Sequence, residues 1–191
     1  GAVQLGDEDD YFQSSLFIIA RRRILWLLIL VLANGLTTKV IAMNDQILKE
    51  IVLLAAFIPL LIGTGGNVGA QSSTVVIRGL STQKLKSLGA VKAVIKESIT
   101  GALLGILMML VVFPFAWWQG EGPLIASAVG ISLISITTLA ATAGAILPLL
   151  FDRMGLDPAL MSSPFITTVT DIAGVFIYLS TANWLLNSSI L

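Results

Sequence analysis

Five long apolar segments constrain the fold of this chain more than any other feature. They cover residues 24–42, 51–76, 98–118, 124–151 and 159–186, and each is close to or above the roughly 20 residues that a helix needs to cross a bilayer core. Hydrophobic residues make up 56% of the sequence and charged residues only 12%, far from the balance of a soluble domain. The sequence therefore predicts an integral membrane protein.

The length of these segments favours helices over a β-barrel. Barrel strands have about 9–11 residues and alternate in polarity, and the segments show neither property. We predict an all-α membrane protein in which residues 21–191 form a domain of five transmembrane helices. Residues 1–20 are predicted to form a polar linker or remnant that ends in a short interfacial helix.

Composition excludes several kinds of chemistry. The sequence contains no Cys and no His, which excludes disulfides, thiolate nucleophiles, His bases and the usual zinc sites. An aspartyl protease within the membrane needs two acids, and a serine protease needs a His or a comparable base. We therefore predict that the protein is not an enzyme and that any metal it handles is bound by oxygen. The zero net charge offers no basic excess for nucleic acid.

The distribution of Lys and Arg predicts the orientation of the chain. Nine of the eleven basic residues fall on one side of the predicted membrane, and the positive-inside rule makes that side the cytoplasm. Five spans then place the N-terminus in the cytoplasm and the C-terminus outside, in a multi-pass protein of the cell (inner) membrane. The nine residues are Arg21, Arg22, Arg23, Arg78, Lys84, Lys86, Lys92, Lys96 and Arg153.

The fifth segment carries one carboxylate, Asp171, within the run TTVTDIAGVFIYL. Asp157 and Pro158 are typical of a helix start, and a rise of 1.5 Å per residue places Asp171 roughly 21 Å further along, near the bilayer midplane. A charge there costs at least about 2.5 kcal/mol, so such acids usually line a cavity or an ion path. The alternative is a structural Asp that forms a hydrogen bond to a neighbouring helix.

Polar and small residues share the helix face of Asp171. A helix turns by about 100° per residue, which puts these residues on one side of it. Such a polar face predicts a water-filled pathway that attracts cations. Its members within roughly 60° of Asp171 are Pro164, Thr167, Thr168, Gly174 and Tyr178.

The second segment contains the run IPLLIGTGGNVGAQSSTV, in which Pro59 and four glycines precede polar residues. This pattern predicts an interrupted helix whose exposed carbonyls bind cations. The alternative is close helix packing through Gly65 and Gly69, a small-xxx-small pair. In the fourth segment, we expect the Ser and Thr hydroxyls to form hydrogen bonds to their own helix.

Two of these stretches are similar to the signature sequences of a known family. PLLIGTGGNVGAQSSTVVIRGL and DPALMSSPFITTVTDIAGVFIYL resemble those of the MgtE family of magnesium channels, and the resemblance covers about residues 20–188. It implies a homodimer with a pore at the subunit interface, lined by the second and fifth helices of both copies. It also implies that cytosolic sensor and CBS domains lie N-terminal to the channel in the full-length chain.

The resemblance implies roles for particular residues. Asp171 of both subunits would hold a largely hydrated Mg²⁺, assisted by the backbone carbonyl of Thr167. Carbonyl and amide groups around Gly63, Gly66 and Asn67 would contribute. Asp157 would act in gating at the cytoplasmic mouth, although a helix-start residue needs no such role.

Physical chemistry agrees with a Mg²⁺ channel. Mg²⁺ keeps several waters and is usually held by one or two carboxylates, and one acid per subunit gives two in a dimer. The membrane potential lowers the free energy of a divalent cation by roughly 4.6 kcal/mol when the ion enters the cytoplasm across 100 mV, at about 2.3 kcal/mol per charge. No coupling ion is therefore required. The expected function is conduction of hydrated Mg²⁺ into the cytoplasm down its electrochemical gradient, with Mn²⁺ and other divalent cations left open as further cargo.

Two rival interpretations stay open. The first is an ion-coupled secondary transporter of another cation or small solute, with the interrupted helix as its binding element. The second is a purely structural membrane subunit, which gives no reason for Asp171.

Overall fold

The computed structural model of the chain describes residues 15–82 and 89–188. These two ranges contain helices and short connections but no strand, which confirms the prediction of an all-α protein. The helices are α1 (Leu16–Met43), α2 (Asp45–Glu50), α3 (Val52–Ser81), α4 (Ala90–Ala116), a π-helical turn (Trp117–Glu121), α5 (Gly122–Arg153) and α6 (Pro158–Ser188).

Four of the described helices are long and apolar enough to cross a membrane, and they correspond to the second to fifth predicted segments. These candidate spans are Val52–Ser81, Ala90–Gln119, Gly122–Arg153 and Pro164–Asn187. The first predicted segment falls in α1, whose apolar part, Leu27–Met43, is shorter than the roughly 20 residues of a typical span. A fifth span formed by α1 therefore stays a prediction.

The start of α1 differs from the expected arrangement. Arg21, Arg22 and Arg23, expected ahead of the first helix, lie inside it, and residues 16–20 form its first turns rather than a separate interfacial helix. The run from Leu16 to Asn34 contains no Gly or Pro that would end a helix. The predicted linker of residues 1–14 lies outside the described residues.

Helix α5 lies at the centre of the bundle. In an 18-residue apolar stretch of this helix, 61% of the residues are buried, against 17% in the corresponding stretch of α4, and α3, α4 and α6 all pack against it. Gly101 and Gly105 allow α4 to approach closely, because a Cβ at Gly101 would lie 2.6 Å from the carbonyl oxygen of Thr137. This is the packing that small-xxx-small pairs support in membranes.

Hydroxyl groups in α5 mostly serve the helices themselves. Thr137, Thr138 and Thr142 donate to the carbonyl oxygen four residues earlier, at 2.8, 2.6 and 2.6 Å, as the sequence predicted. The Thr142 hydroxyl also shares a 2.7 Å hydrogen bond with Ser98 of α4. The contact between Ser98 and Thr142 therefore stabilises the packing of α4 on α5.

A pair of asparagines joins α1 to α6. The side-chain amide of Asn183 donates to Oδ1 of Asn44 at 3.0 Å, and Asn44 in turn donates to the carbonyl oxygen of Val40 at 2.8 Å. This contact holds the end of α1 beside the helix that carries Asp171.

Candidate cation site

The glycine-rich part of α3 is a continuous helix. Val52–Ser81 forms one α-helix with Pro59 inside it, so the predicted interruption was wrong. The carbonyls of Gly63 and Gly66 consequently belong to the helical hydrogen-bond ladder, and each retains only its second lone pair as a free acceptor. Because proline has no N–H, the carbonyl that loses its helical donor is that of Ala55.

Gly65 and Gly69 explain why glycines occur in an unbroken helix. A Cβ at Gly65 would lie 2.6 Å from the Cγ2 atoms of Ile136 and Thr170, and a Cβ at Gly69 would lie 2.5 Å from Cγ2 of Ile166. These two glycines therefore let α3 pack directly on α5 and α6, which confirms the alternative of close helix packing.

The opposite side of α3, which we call the open face, is uncovered in the protomer. All of its members are exposed, and a Cβ at Gly63 would have no neighbour within 4 Å. Polar side chains in contact with lipid are unfavourable, so this face requires water or protein beside it. The open face consists of Pro59, Gly63, Asn67, Gln71 and Thr74.

Asp171 lies inside α6, which begins at Pro158 directly after Asp157, as predicted. Its side chain is partly buried. Among the described residues, no salt bridge or hydrogen bond to its carboxylate is found. The alternative of a structural Asp bonded to a neighbouring helix therefore has no partner within the described protomer. A carboxylate in this state can accept a cation or its water ligands.

Three contacts set the register between α3 and α6. A Cβ at Gly65 would meet Thr170, a Cβ at Gly66 would lie 3.7 Å from Cγ2 of Thr167, and a Cβ at Gly69 would meet Ile166. Residue numbers rise in α3 as they fall in α6, so the helices are antiparallel. The same register puts Asp171 level with Gly63.

The structure thus brings most of the predicted site residues into one region. Pro164, Thr167 and Thr168 are partly exposed on α6, and Thr167 donates its hydroxyl hydrogen to the carbonyl oxygen of Pro164 at 3.0 Å. Their levels correspond to the stretch of α3 between Gly63 and Gln71. The sequence analysis had not assigned Gln71 or Thr74 to the site, although their spacing from Gly63 and Asn67 is helical.

Gly174 lies apart from this region. It is buried, and a Cβ there would contact Ile136 at 3.6 Å. Tyr178, one turn further along, is 0% exposed within the hydrophobic core. The face predicted to be polar along its whole length therefore opens only up to Asp171, and the geometry of the protomer does not favour Gly174 as a pore-lining residue.

Asp157 is exposed at the start of α6. The helix between it and Asp171 is roughly 21 Å long, so the two acids do not form one binding site.

The described residues contain no group of three or more acidic side chains that would cage a metal ion. A single carboxylate per protomer is enough for an ion that keeps most of its water shell. The arrangement therefore favours weak, water-mediated contact with a divalent cation over tight protein-only coordination.

Comparison with known proteins identifies the family. Residues 58–181 match the model of the MgtE family, described as a divalent cation transporter. The magnesium transporter MgtE of Thermus thermophilus is 39% identical over 166 residues, which are 87% of this chain and 37% of the relative. The MgtE proteins of Enterococcus faecalis and Bacillus subtilis are 35% and 32% identical, over 86% and 95% of this chain and 36% and 40% of their own lengths.

The chain thus spans less than half the length of these relatives. The matched segment includes α3 from its second turn, all of α4 and α5, and α6 from its start to Thr181. On these grounds the chain belongs to the MgtE family of divalent cation transporters.

Proposed function

We propose that this chain forms the pore of a homodimeric Mg²⁺ channel, in which Asp171 of both copies holds the hydrated ion. The observation that carries the proposal is Asp171 itself, a carboxylate within a membrane-spanning helix, unpaired among the described residues and level with the open face of α3. The relatives are named magnesium transporters, which supports Mg²⁺ as the transported ion.

A second copy of the chain gives the open face a cover other than lipid. Asn67 and Gln71 are exposed in the protomer, and a polar stripe inside a membrane is stable only against protein or water. A two-fold axis beside α3 and α6 brings both stripes and both Asp171 side chains around one wet pathway.

Two carboxylates suit Mg²⁺ because this ion releases its water reluctantly. In the proposed site the acids contact the ion mainly through its water shell, and the carbonyl of Thr167 and the polar groups around Gly63, Gly66 and Asn67 contact further waters. Selectivity then depends on the size of the hydrated ion and on the field of the two charges. The membrane potential supplies the driving force for entry into the cytoplasm.

The proposed topology includes α1 as the fifth span. Its 28 residues extend over roughly 42 Å at 1.5 Å per residue, and its end is joined to α6 through Asn44 and Asn183. With α1 across the membrane, the N-terminus lies in the cytoplasm of the cell and the C-terminus outside.

Regulation is proposed to come from the cytoplasmic side. Asp157 is exposed beside the helix start and is the gating candidate there. In the full-length protein, sensor and CBS domains N-terminal to this segment would control the pore.

The rival function, an ion-coupled secondary transporter of another cation or solute, was based on an interrupted second span. Since α3 is continuous, that argument is lost. Voltage-clamped proteoliposomes separate the two functions: a channel gives Mg²⁺ current that does not depend on a Na⁺ or H⁺ gradient, whereas a coupled transporter loses its flux when the gradient is removed.

The test of the site is Asp171→Asn, which removes the charge and keeps the shape. We expect Mg²⁺ uptake into proteoliposomes to fall by at least about tenfold. The mutant lacks the negative charge that offsets the hydration energy lost by the ion in the pore. Asp152→Asn, the same change at the exposed end of α5, is the matched control and should keep its uptake. Normal uptake in a folded Asp171→Asn protein would contradict the proposal.

A further inference from the structure

Two prolines lie at the same level in α5 and α6, which are antiparallel neighbours joined by a short turn. Pro148 is inside α5 and Pro164 is inside α6. A Cβ at Gly174 of α6 would lie 3.6 Å from Ile136 of α5. Pro148 follows Ile136 by 12 residues and Pro164 precedes Gly174 by 10. At 1.5 Å per residue, the two prolines therefore differ in level by only about 3 Å.

Each proline weakens its own helix at this level. Because proline has no N–H, the carbonyls of Gly144 in α5 and of Leu160 in α6 lose their helical donor. Sharp bends in long helices occur mostly at proline for this reason. Residues 149–163, which we call the hairpin tip, lie between the two prolines. Two weak points side by side define an axis about which the hairpin tip can turn.

The hairpin tip is held together by contacts of its own. The N–H of Leu156 donates to the carbonyl oxygen of Phe151 at 2.9 Å, and the N–H of Gly155 donates to that of Asp152 at 3.1 Å. Gly155 has a positive φ of 71°, as is common after the last turn of a helix. The rings of Phe151 and Phe165 pack with their centroids 5.6 Å apart. These contacts join the two strands of the hairpin into one unit.

Space for a movement of this unit lies on the side of α4. Leu149, Leu150 and Arg153 of the hairpin tip border a groove of about 260 Å³, whose opposite wall includes Val91 and Val94 of α4. Among the described residues, no hydrogen bond or salt bridge crosses the groove. A tilt of the hairpin tip toward α4 therefore breaks no polar contact.

We propose that Pro148 and Pro164 form a hinge about which the hairpin tip tilts toward α4 and back. The hairpin tip carries Asp157, the gating candidate, so the tilt changes the position of this acid relative to Asp171. The link to gating rests on the proposed channel function, whereas the hinge depends only on α4, α5 and α6. The hinge gives the chain a moving part of its own at one end of the bundle.

Pulsed electron paramagnetic resonance measures this tilt. The chain has no native cysteine, so Met154→Cys on the hairpin tip and Lys92→Cys on α4, both at exposed positions, each take one spin label. The doubly labelled chain is mixed with an excess of unlabelled chain in nanodiscs, so that only distances within one copy are recorded. We expect a broad or two-peaked distribution of distances, because the hairpin tip occupies more than one position.

Replacement of both prolines tests the hinge. Pro148→Ala combined with Pro164→Ala restores two helical hydrogen bonds, and we expect a single peak of about half the wild-type width, since alanine is the best helix former. Val94→Trp, which fills the groove, should leave only the longer distances. Pro114→Ala, the same change inside α4 far from the groove, is the matched control and should keep the wild-type distribution.

Two results would overturn the hinge. One is a narrow wild-type distribution, and the other is a broad distribution that persists without the two prolines. If the double variant does not fold, Val94→Trp decides, because wild-type distances in that variant would show that the hairpin tip does not enter the groove.

Mg²⁺ uptake separates the hinge from the proposed channel. Asp171→Asn should lose uptake and keep the wild-type distances, so failure of either proposal is seen without the other. Wild-type uptake by the folded double proline variant would overturn the link between the tilt and gating.

Discussion

Glycine occurs on both faces of α3 but has a packing role on only one of them. On the packed face, Gly65 and Gly69 let the backbone approach Ile136 and Ile166 so closely that a Cβ would overlap their methyl groups. On the open face, only two residues from Gly65, Gly63 has nothing within 4 Å of a Cβ position. The packed glycines therefore determine the distance between helices, and the open glycine has no packing role within the protomer.

This difference indicates where function lies on the helix. Packing inside the protomer accounts for the packed face completely, whereas a polar, small-residue face toward lipid is unexplained unless another molecule or water covers it. The pore proposed at the interface of two copies would cover this face and would also use Asp171. The following predictions test the distinction between the two faces.

Cross-linking gives the largest expected effect. The chain has no native cysteine, so Gln71→Cys places a single thiol on the open face. We expect oxidation in membranes to convert most of this variant to a covalent dimer, because the proposed two-fold axis brings the same positions of both copies together. Val111→Cys, exposed on α4, is the control and should stay monomeric on a denaturing gel; the reverse pattern would place the dimer interface on α4.

The next effect is on stability. Gly65→Ala should lower the free energy of unfolding in detergent by about 1–3 kcal/mol, because the added methyl group overpacks the contact with Ile136 and Thr170. Gly63→Ala should leave it unchanged or raise it by up to about 1 kcal/mol, since alanine is the better helix former. Thermal and denaturant unfolding of both variants measures the difference. Equal destabilisation would mean that the two faces are packed alike.

The smallest effect is on transport by Gly63→Ala. We expect Mg²⁺ uptake to fall by a few-fold while stability is kept, because a methyl group beside the level of Asp171 narrows the water-filled path. Uptake is measured in proteoliposomes of matched protein content. Uptake equal to that of the wild type would indicate that the open face at Gly63 does not border the pathway.

Much of the fold follows from patterns within single segments. Hydropathy located α3 to α6, and the Asp157–Pro158 pair marked the residue at which α6 begins. Asp171 was recognised because an acid in an apolar run is costly wherever the helix packs. The predictions of the helices and of the start of α6 were correct because they do not depend on which helices become neighbours, and the role of Asp171 stays a prediction.

Predictions that depended on neighbours were less successful. The glycines of α3 predicted a break, but Gly65 and Gly69 fit against α5 and α6, and this tertiary packing overrides their low helix propensity. A helical wheel placed Gly174 beside Asp171, yet the wheel ignores that Tyr178, on the same face, is buried with Leu54 and Leu61 of α3. Gly101 and Gly105 have the same four-residue spacing as Gly65 and Gly69. The close packing of α4 on α5 could therefore have been predicted from the sequence.

The most direct test of the central claim is anomalous diffraction from crystals of the dimer soaked in Mn²⁺, which locates the ion itself. We expect a peak on the two-fold axis between the two Asp171 carboxylates, at a distance that leaves room for water ligands around the ion. Asp171 side chains that point away from each other into packed protein, with the Mn²⁺ peak elsewhere, would contradict the account.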